Sequence, residues 1–134
     1  MPLLLLLIAL FLAACQPSGL AATPTPASPP VSRLRIQHNG GAVVDRLVLI
    51  FPKDRIEFTD IEPGETTDYV AVPNGVYQYA AFETEINGKK YEQPVIDWMG
   101  EEPVKGQDFT WLIDVEPNRG EYSVVQLVKA TIDR

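Results

Sequence analysis

The sequence predicts an all-β domain over residues 33–134, an antiparallel sandwich of seven or eight strands. Three observations predict it. Turn-forming residues recur at short intervals: Asn39-Gly40-Gly41, Pro52-Lys53-Asp54, Pro63-Gly64, Pro73-Asn74-Gly75, Asn87-Gly88, Gly100, Gly106 and Pro117-Asn118-Arg119-Gly120. The segments between them are rich in β-branched and aromatic residues that alternate with a period of two. No stretch beyond residue 30 carries apolar residues at helical spacing.

Residues 3–12 are apolar without interruption. A membrane-spanning helix needs about 20 apolar residues, so the run fits the apolar core of a secretory signal instead. It ends in Leu12-Ala13-Ala14-Cys15, and Cys15 is the one cysteine of the chain. This box resembles that of bacterial lipoprotein signals at every position. The resemblance implies a signal peptide at 1–14, a diacylglyceryl thioether on Cys15 and a new amino terminus there. Two or three acyl chains anchor firmly, because each buried CH₂ contributes about 0.8 kcal/mol and one chain alone is marginal. The positive residue that usually opens such a signal is missing, leaving only the amino terminus itself. With no second cysteine, the exported domain must be stable without a disulfide.

Residues 16–32 read QPSGLAATPTPASPPVS. Recurrent proline among small residues cannot bury a core and favours extended polyproline geometry; at about 3.1 Å per residue the stretch reaches roughly 50 Å. Cys15 and this tether, residues 15–32, would hold the domain away from a membrane surface. Gln16 follows the cysteine. The lipoprotein resemblance therefore implies outer-membrane sorting where the host has an outer membrane, and otherwise the outer face of the cytoplasmic membrane.

The strands follow. Leu34 and Ile36 alternate with Arg33, Arg35 and Gln37. Residues 43–51 are apolar on both faces at Leu47, Val48, Leu49 and Ile50, as in a central strand. Glu62-Pro63-Gly64-Glu65 fits a type II turn. Ala80, Phe82, Thr84 and Ile86 point one way, and Ala81, Glu83 and Glu85 the other. Ile86-Asn87-Gly88-Lys89 fits a two-residue hairpin, since Asn-Gly tolerates the positive φ of a type I′ turn. Phe109, Trp111, Ile113 and Val115 alternate with Thr110, Leu112, Asp114 and Glu116, and residues 117–120 join two long final strands at 108–116 and 121–131. An immunoglobulin-like or a transthyretin-like sandwich accommodates this series, and strand order is not readable from it.

The body also resembles a group of small, uncharacterised bacterial lipoproteins. The pieces that carry the likeness are DIEPGETTDY at 60–69, YQYAAFETEINGK at 77–89 and PVIDWMGEEP at 94–103. The resemblance agrees with a lipid anchor and supplies no catalytic residues.

Chemistry-bearing residues are sparse. His38 is the one histidine and reads as a strand-end residue; zinc needs three or four N, S or carboxylate ligands. No serine sits in a nucleophile-elbow context, and no phosphate-binding glycine loop opens a helix. The net charge of −7 argues against nucleic acid. Asp97, Glu101, Glu102 and Asp108 lie close together and read first as a solvated acidic loop. They are also weak candidates for Ca²⁺, or for paired acids that hydrolyse an envelope glycan. Tyr77, Tyr79, Tyr91 and Trp98 fall on or beside one hairpin. Counting back in twos from Glu83 puts Tyr77 and Tyr79 on the solvent face, beside Tyr91, as a surface for an envelope protein or a glycan. The competing expectation is that a bulge buries them, or that Trp98 plugs the end of the sandwich. The reading is a lipid-anchored, non-enzymatic binding or structural module of the cell envelope, with no cofactor, held to the membrane through Cys15.

Overall fold

The computed structural model describes residues 24–95 and 98–134. The expectations for the signal at 1–14, for Cys15 and for Asp97 lie outside the described residues. Residues 24–31 carry neither helix nor strand and are exposed. The strands are β1 (Ser32–Gly41), β2 (Val44–Ile50), β3 (Arg55–Ile61), β4 (Val70–Val72), β5 (Ala81–Ile86), β6 (Lys89–Gln93), β7 (Asp108–Val115) and β8 (Val125–Ile132). Among the described residues there is no α-helix, and so no helix long and apolar enough to cross a membrane.

The strands form two four-stranded sheets that pack as a sandwich, β4-β1-β7-β8 and β3-β2-β5-β6. One pairing departs from the expected antiparallel arrangement. β1 and β7 run parallel, from Arg33 opposite Asp108 to Gly41 opposite Val115. The whole second sheet lies between them in sequence, so no hairpin fixes their relative direction. An immunoglobulin sandwich keeps its first and second strands in one sheet. Here β1 and β2 lie in different sheets, a departure from the immunoglobulin-like alternative.

The core takes Leu34 and Ile36 from β1, Leu47 and Leu49 from β2, Phe82 and Ile86 from β5, and Phe109, Trp111, Ile113 and Val115 from β7. β2 is central in its sheet, as its two apolar faces predict. Val48 is fully buried although its cross-strand neighbours, Glu57 and Glu83, lie on the outer face. Arg46 and Arg55 cover that face: Arg46 donates to Glu57 at 2.7 Å and Arg55 pairs with Glu83. Their aliphatic stems shield the valine while the charges stay in water.

Local turn chemistry holds as read. Asn87 and Gly88 both have positive φ, 51° and 76°, so β5 and β6 close through a type I′ turn with Ile86 opposite Lys89. The amide of Glu65 donates to the carbonyl of Glu62 at 3.0 Å and closes the Pro63-Gly64 turn. After β7 a short 3₁₀ turn at Pro117–Arg119 leads into a further turn, so β8 starts at Val125 rather than at 121. β8 also carries a bulge. Leu112 faces Lys129 and Ile113 faces Leu127, leaving Val128 without a partner residue.

Candidate functional site

An open groove lies along the second half of β8. Phe109 is paired with Ile132 and Trp111 with Ala130, so Ala130 and Ile132 share the inward face of those aromatics. Both are exposed. The opposing wall is the segment after β4, where Val76 and Val104 exchange backbone hydrogen bonds at 2.9 and 2.8 Å. The resulting groove has a volume of about 470 Å³ and is walled by Val76, Tyr77, Val104, Phe109, Trp111 and Ile132, with Gln78 and Lys129 among its polar lining. Ala130 is too short to fill it. The indole N–H of the fully buried Trp111 finds no acceptor among the described residues.

The first residues of β8 are closed differently. Gln93, the last residue of β6, uses its side-chain amide as a substitute peptide. Its Oε1 accepts from the Val125 N–H at 2.6 Å and its Nε2 donates to the Val125 carbonyl at 3.0 Å. That stitch joins the two sheets where β8 begins, and the groove opens farther along.

Beside the groove runs a chain of aromatic contacts. Trp111 meets Phe51 edge-on at 5.8 Å, Phe51 stacks on Tyr77 at 5.9 Å, Tyr77 meets Trp98 at 5.1 Å, and Trp98 stacks on Tyr79 at 4.8 Å. It leads from the centre of the core to half-buried Tyr79. Three of the four aromatics expected as a surface, Tyr77, Tyr79 and Trp98, therefore meet, but as a partly buried plug. β5 begins only at Ala81. The alternation counted back from Glu83 does not reach Tyr79 or Tyr77, so neither is displayed on a regular strand.

Tyr91 is separate from them and buried. The hairpin places it opposite Thr84, on the inward face, with Lys89 Nζ 4.8 Å over its ring. The expected exposure of Tyr91 is corrected by that register.

The acidic candidates divide. Asp108 opens β7 and is bound to Arg33, whose Nε donates to its Oδ1 at 2.9 Å. That hydrogen bond, with the charges of Arg33 and Arg134, holds the Asp108 carboxyl below the usual range against the effect of burial. An acid held ionised suits neither proton donation to a glycosidic oxygen nor a free solvated loop. Glu101 is half-buried in the turn at Trp98, where its amide donates to the Trp98 carbonyl at 3.2 Å, and Glu102 is exposed. Among the described residues no group of three or more His, Cys, Asp or Glu is arranged to hold a metal.

His38 is inside the core rather than at a strand end. It is fully buried, and its Nε2 lies 2.8 Å from the Ala42 carbonyl, which can only accept, so Nε2 carries the hydrogen.

Sequence reasoning did not assemble a polar cluster on the outer face of the first sheet. Tyr69 lies under the guanidinium groups of Arg33 and Arg35, at 4.9 and 4.6 Å from the ring centre. Tyr69 and Thr110 each donate to Asp133 Oδ2 at 2.6 Å. Burial works to raise the Asp133 pKa, but the two hydroxyls and Arg35 outweigh it and the carboxyl lies below the usual range. The same bond to Asp133, with burial, raises the Tyr69 phenol. These contacts tie residue 133 to β1 and β7. The alternating Arg33 and Arg35 were the available signal, but the pairs that build the cluster are distant in sequence, 75 residues for Arg33 and Asp108 and 64 for Tyr69 and Asp133.

No family model, curated protein or solved structure matches this chain.

Proposed function

We propose that this protein is a lipid-anchored, extracytoplasmic module of the bacterial envelope that works by binding, without catalysis. The observation that carries the binding part is the groove along β8, an apolar concavity on a rigid sheet edge with a few polar groups at its margin. That is the usual form of a ligand site. An extended ligand suits it, because the outer edge of β8 ends its sheet and can accept a further strand. The anchoring part is supported by the Leu12-Ala13-Ala14-Cys15 box and by the proline-rich stretch between it and β1.

Two measurements test the reading. Cells fed a clickable fatty acid should label the wild-type chain and not Cys15→Ala; equal label in both sinks the anchor. A photo-crosslinking residue at Gln78 should capture a discrete envelope component, and filling the groove with Ala130→Phe should abolish that capture. The same capture in the filled variant sinks the groove as the binding site.

A further inference from the structure

We infer that the end of the domain where the tether enters is a docking surface for the phospholipid membrane that anchors the chain; this rests on the anchoring proposed above. The point of entry is fixed. Pro30 lies against Gly106, which has φ +71°, and a Cβ on that residue would stand 2.8 Å from the proline Cγ. Glycine at 106 is what admits the incoming chain so closely. Val31 follows Pro30 and is 51% exposed. Ser32 Oγ then donates to the Val104 carbonyl at 3.1 Å, which places Val104, 37% exposed, beside the entry. Val104 shares the groove wall with Ile132, which is 55% exposed. Three aliphatic side chains thus open to solvent around one point, the point from which the chain leads to its anchor.

The charges there have the matching pattern. Lys105 and Arg134 are exposed and adjoin the apolar group: Lys105 follows Val104, and the Arg134 carbonyl accepts from the Asp108 amide at 3.2 Å. Two carboxylates at this end are bound, Asp108 by Arg33 and, at 3.9 Å, by Arg134, which stays 82% exposed, and Asp133 by Thr110 and Tyr69. Glu101 and Glu102 belong to the Trp98 turn, beyond Pro103 in the chain. The opposite end of the same sheet is acidic and exposed, with Glu62, Glu65 and Glu121 near Arg119. Aliphatic side chains that enter the acyl boundary, rimmed by cations that meet phosphate, are the elements of an interfacial contact. The contact can be weak on its own. A tether of this length keeps the domain at a high local concentration over the surface, which converts a weak contact into a preferred orientation.

The experiment uses the full lipidated chain in vesicles of phosphatidylethanolamine and phosphatidylglycerol that contain brominated lipid. A fluorophore is placed on a single introduced cysteine: Ile132→Cys or Val31→Cys at the tether end, Asn87→Cys at the β5–β6 hairpin. Labels at 132 and 31 should be quenched at least about threefold more than the label at 87. Two positions at the docking end guard against one variant that fails to fold. Flotation of the same vesicles reads the anchor independently. Chain that floats with all three labels quenched alike refutes the docking surface and leaves the anchor standing. Chain that does not float refutes the anchoring and this inference with it. A face made for a protein partner would leave all three labels bright, which also overturns the inference.

Discussion

The two ends of the β7–β8 pair are made of the same strands and are finished in opposite ways. Where β8 begins, Val124 and Val125 are buried and the side-chain amide of Gln93 stitches Val125 to the second sheet. Where β8 ends, Ala130 and Ile132 face the same way as Trp111 and Phe109 and stay open beside the groove. The difference lies in what stands opposite. A strand end that offers a peptide-like amide satisfies the edge and seals it. A loop that spends its hydrogen bonds on Val104 leaves apolar surface uncovered. Closure of a sandwich edge is therefore a local property, and the unsealed part is where a ligand or a surface can be accommodated.

The most severe way to break the contrast is to remove its central aromatic. Trp111 is fully buried and joins the groove wall to the Phe51, Tyr77 and Trp98 contacts. Trp111→Ala should destabilise the domain by about 3–5 kcal/mol, read from the urea midpoint. A loss under about 1 kcal/mol would mean that the groove collapses to fill the space and is not a rigid feature.

Unsealing the other end comes next. Gln93→Ala deprives the Val125 N–H and carbonyl of their partner, and an unsatisfied buried peptide group costs about 1–3 kcal/mol. The Val125 amide should also exchange faster with solvent. Unchanged exchange would show that water replaces the amide without cost.

What the sequence shows of these two ends depends on whether the cause is local. The alternation of β7, the apolar centre of β2 and the two tight turns were readable because each is decided within a few residues. The parallel pairing of β1 and β7 was not, since nothing near either strand encodes a partner some 75 positions away. The phase of Tyr77 and Tyr79 failed for a smaller reason: no breaker marks the start of β5 at Ala81, so alternation was carried past the strand. Tyr91 was misplaced on the surface too, although its local register is enough to turn it inward. A two-residue turn that sets Ile86 opposite Lys89 also sets Thr84 opposite Tyr91, on the face of Phe82 and Ile86. The groove was hidden because it depends on which strand is an edge and which loop covers it.

Tyr79 tests the plug more gently. Its ring stacks on Trp98 at 4.8 Å, and loss of such an aromatic pair by Tyr79→Ser should cost about 0.5–1.5 kcal/mol. No change would return Tyr79 to the freely displayed surface that the sequence suggested.

Acid probes the same end without a change of shape. Arg33 lowers the folded-state pKa of Asp108 below its unfolded value of about 3.9. The stabilisation is present above that unfolded value and is lost as pH falls through the folded one. Asp108→Asn should therefore be less stable than wild type near neutral pH, and the gap should close as the solution is acidified below about 4. A gap that persists at low pH would mean that packing of the side chain, and not its charge, holds Arg33 in place.

The smallest effect separates folding from docking. Val31 at the tether end and Tyr122 at the other are both exposed, at 51% and 71%. Neither lies in a strand. Surface substitutions of this kind move stability by no more than about 0.5 kcal/mol, so Val31→Ser and Tyr122→Ser should leave the urea midpoint where it is. On vesicles they should part company. Quenching of a label at residue 132 by brominated lipid should fall in the Val31→Ser chain and hold in the Tyr122→Ser chain, because only Val31 is placed to enter the acyl boundary. An equal fall in both would remove the difference between the ends, and an equal lack of effect would show that Val31 is not part of the contact.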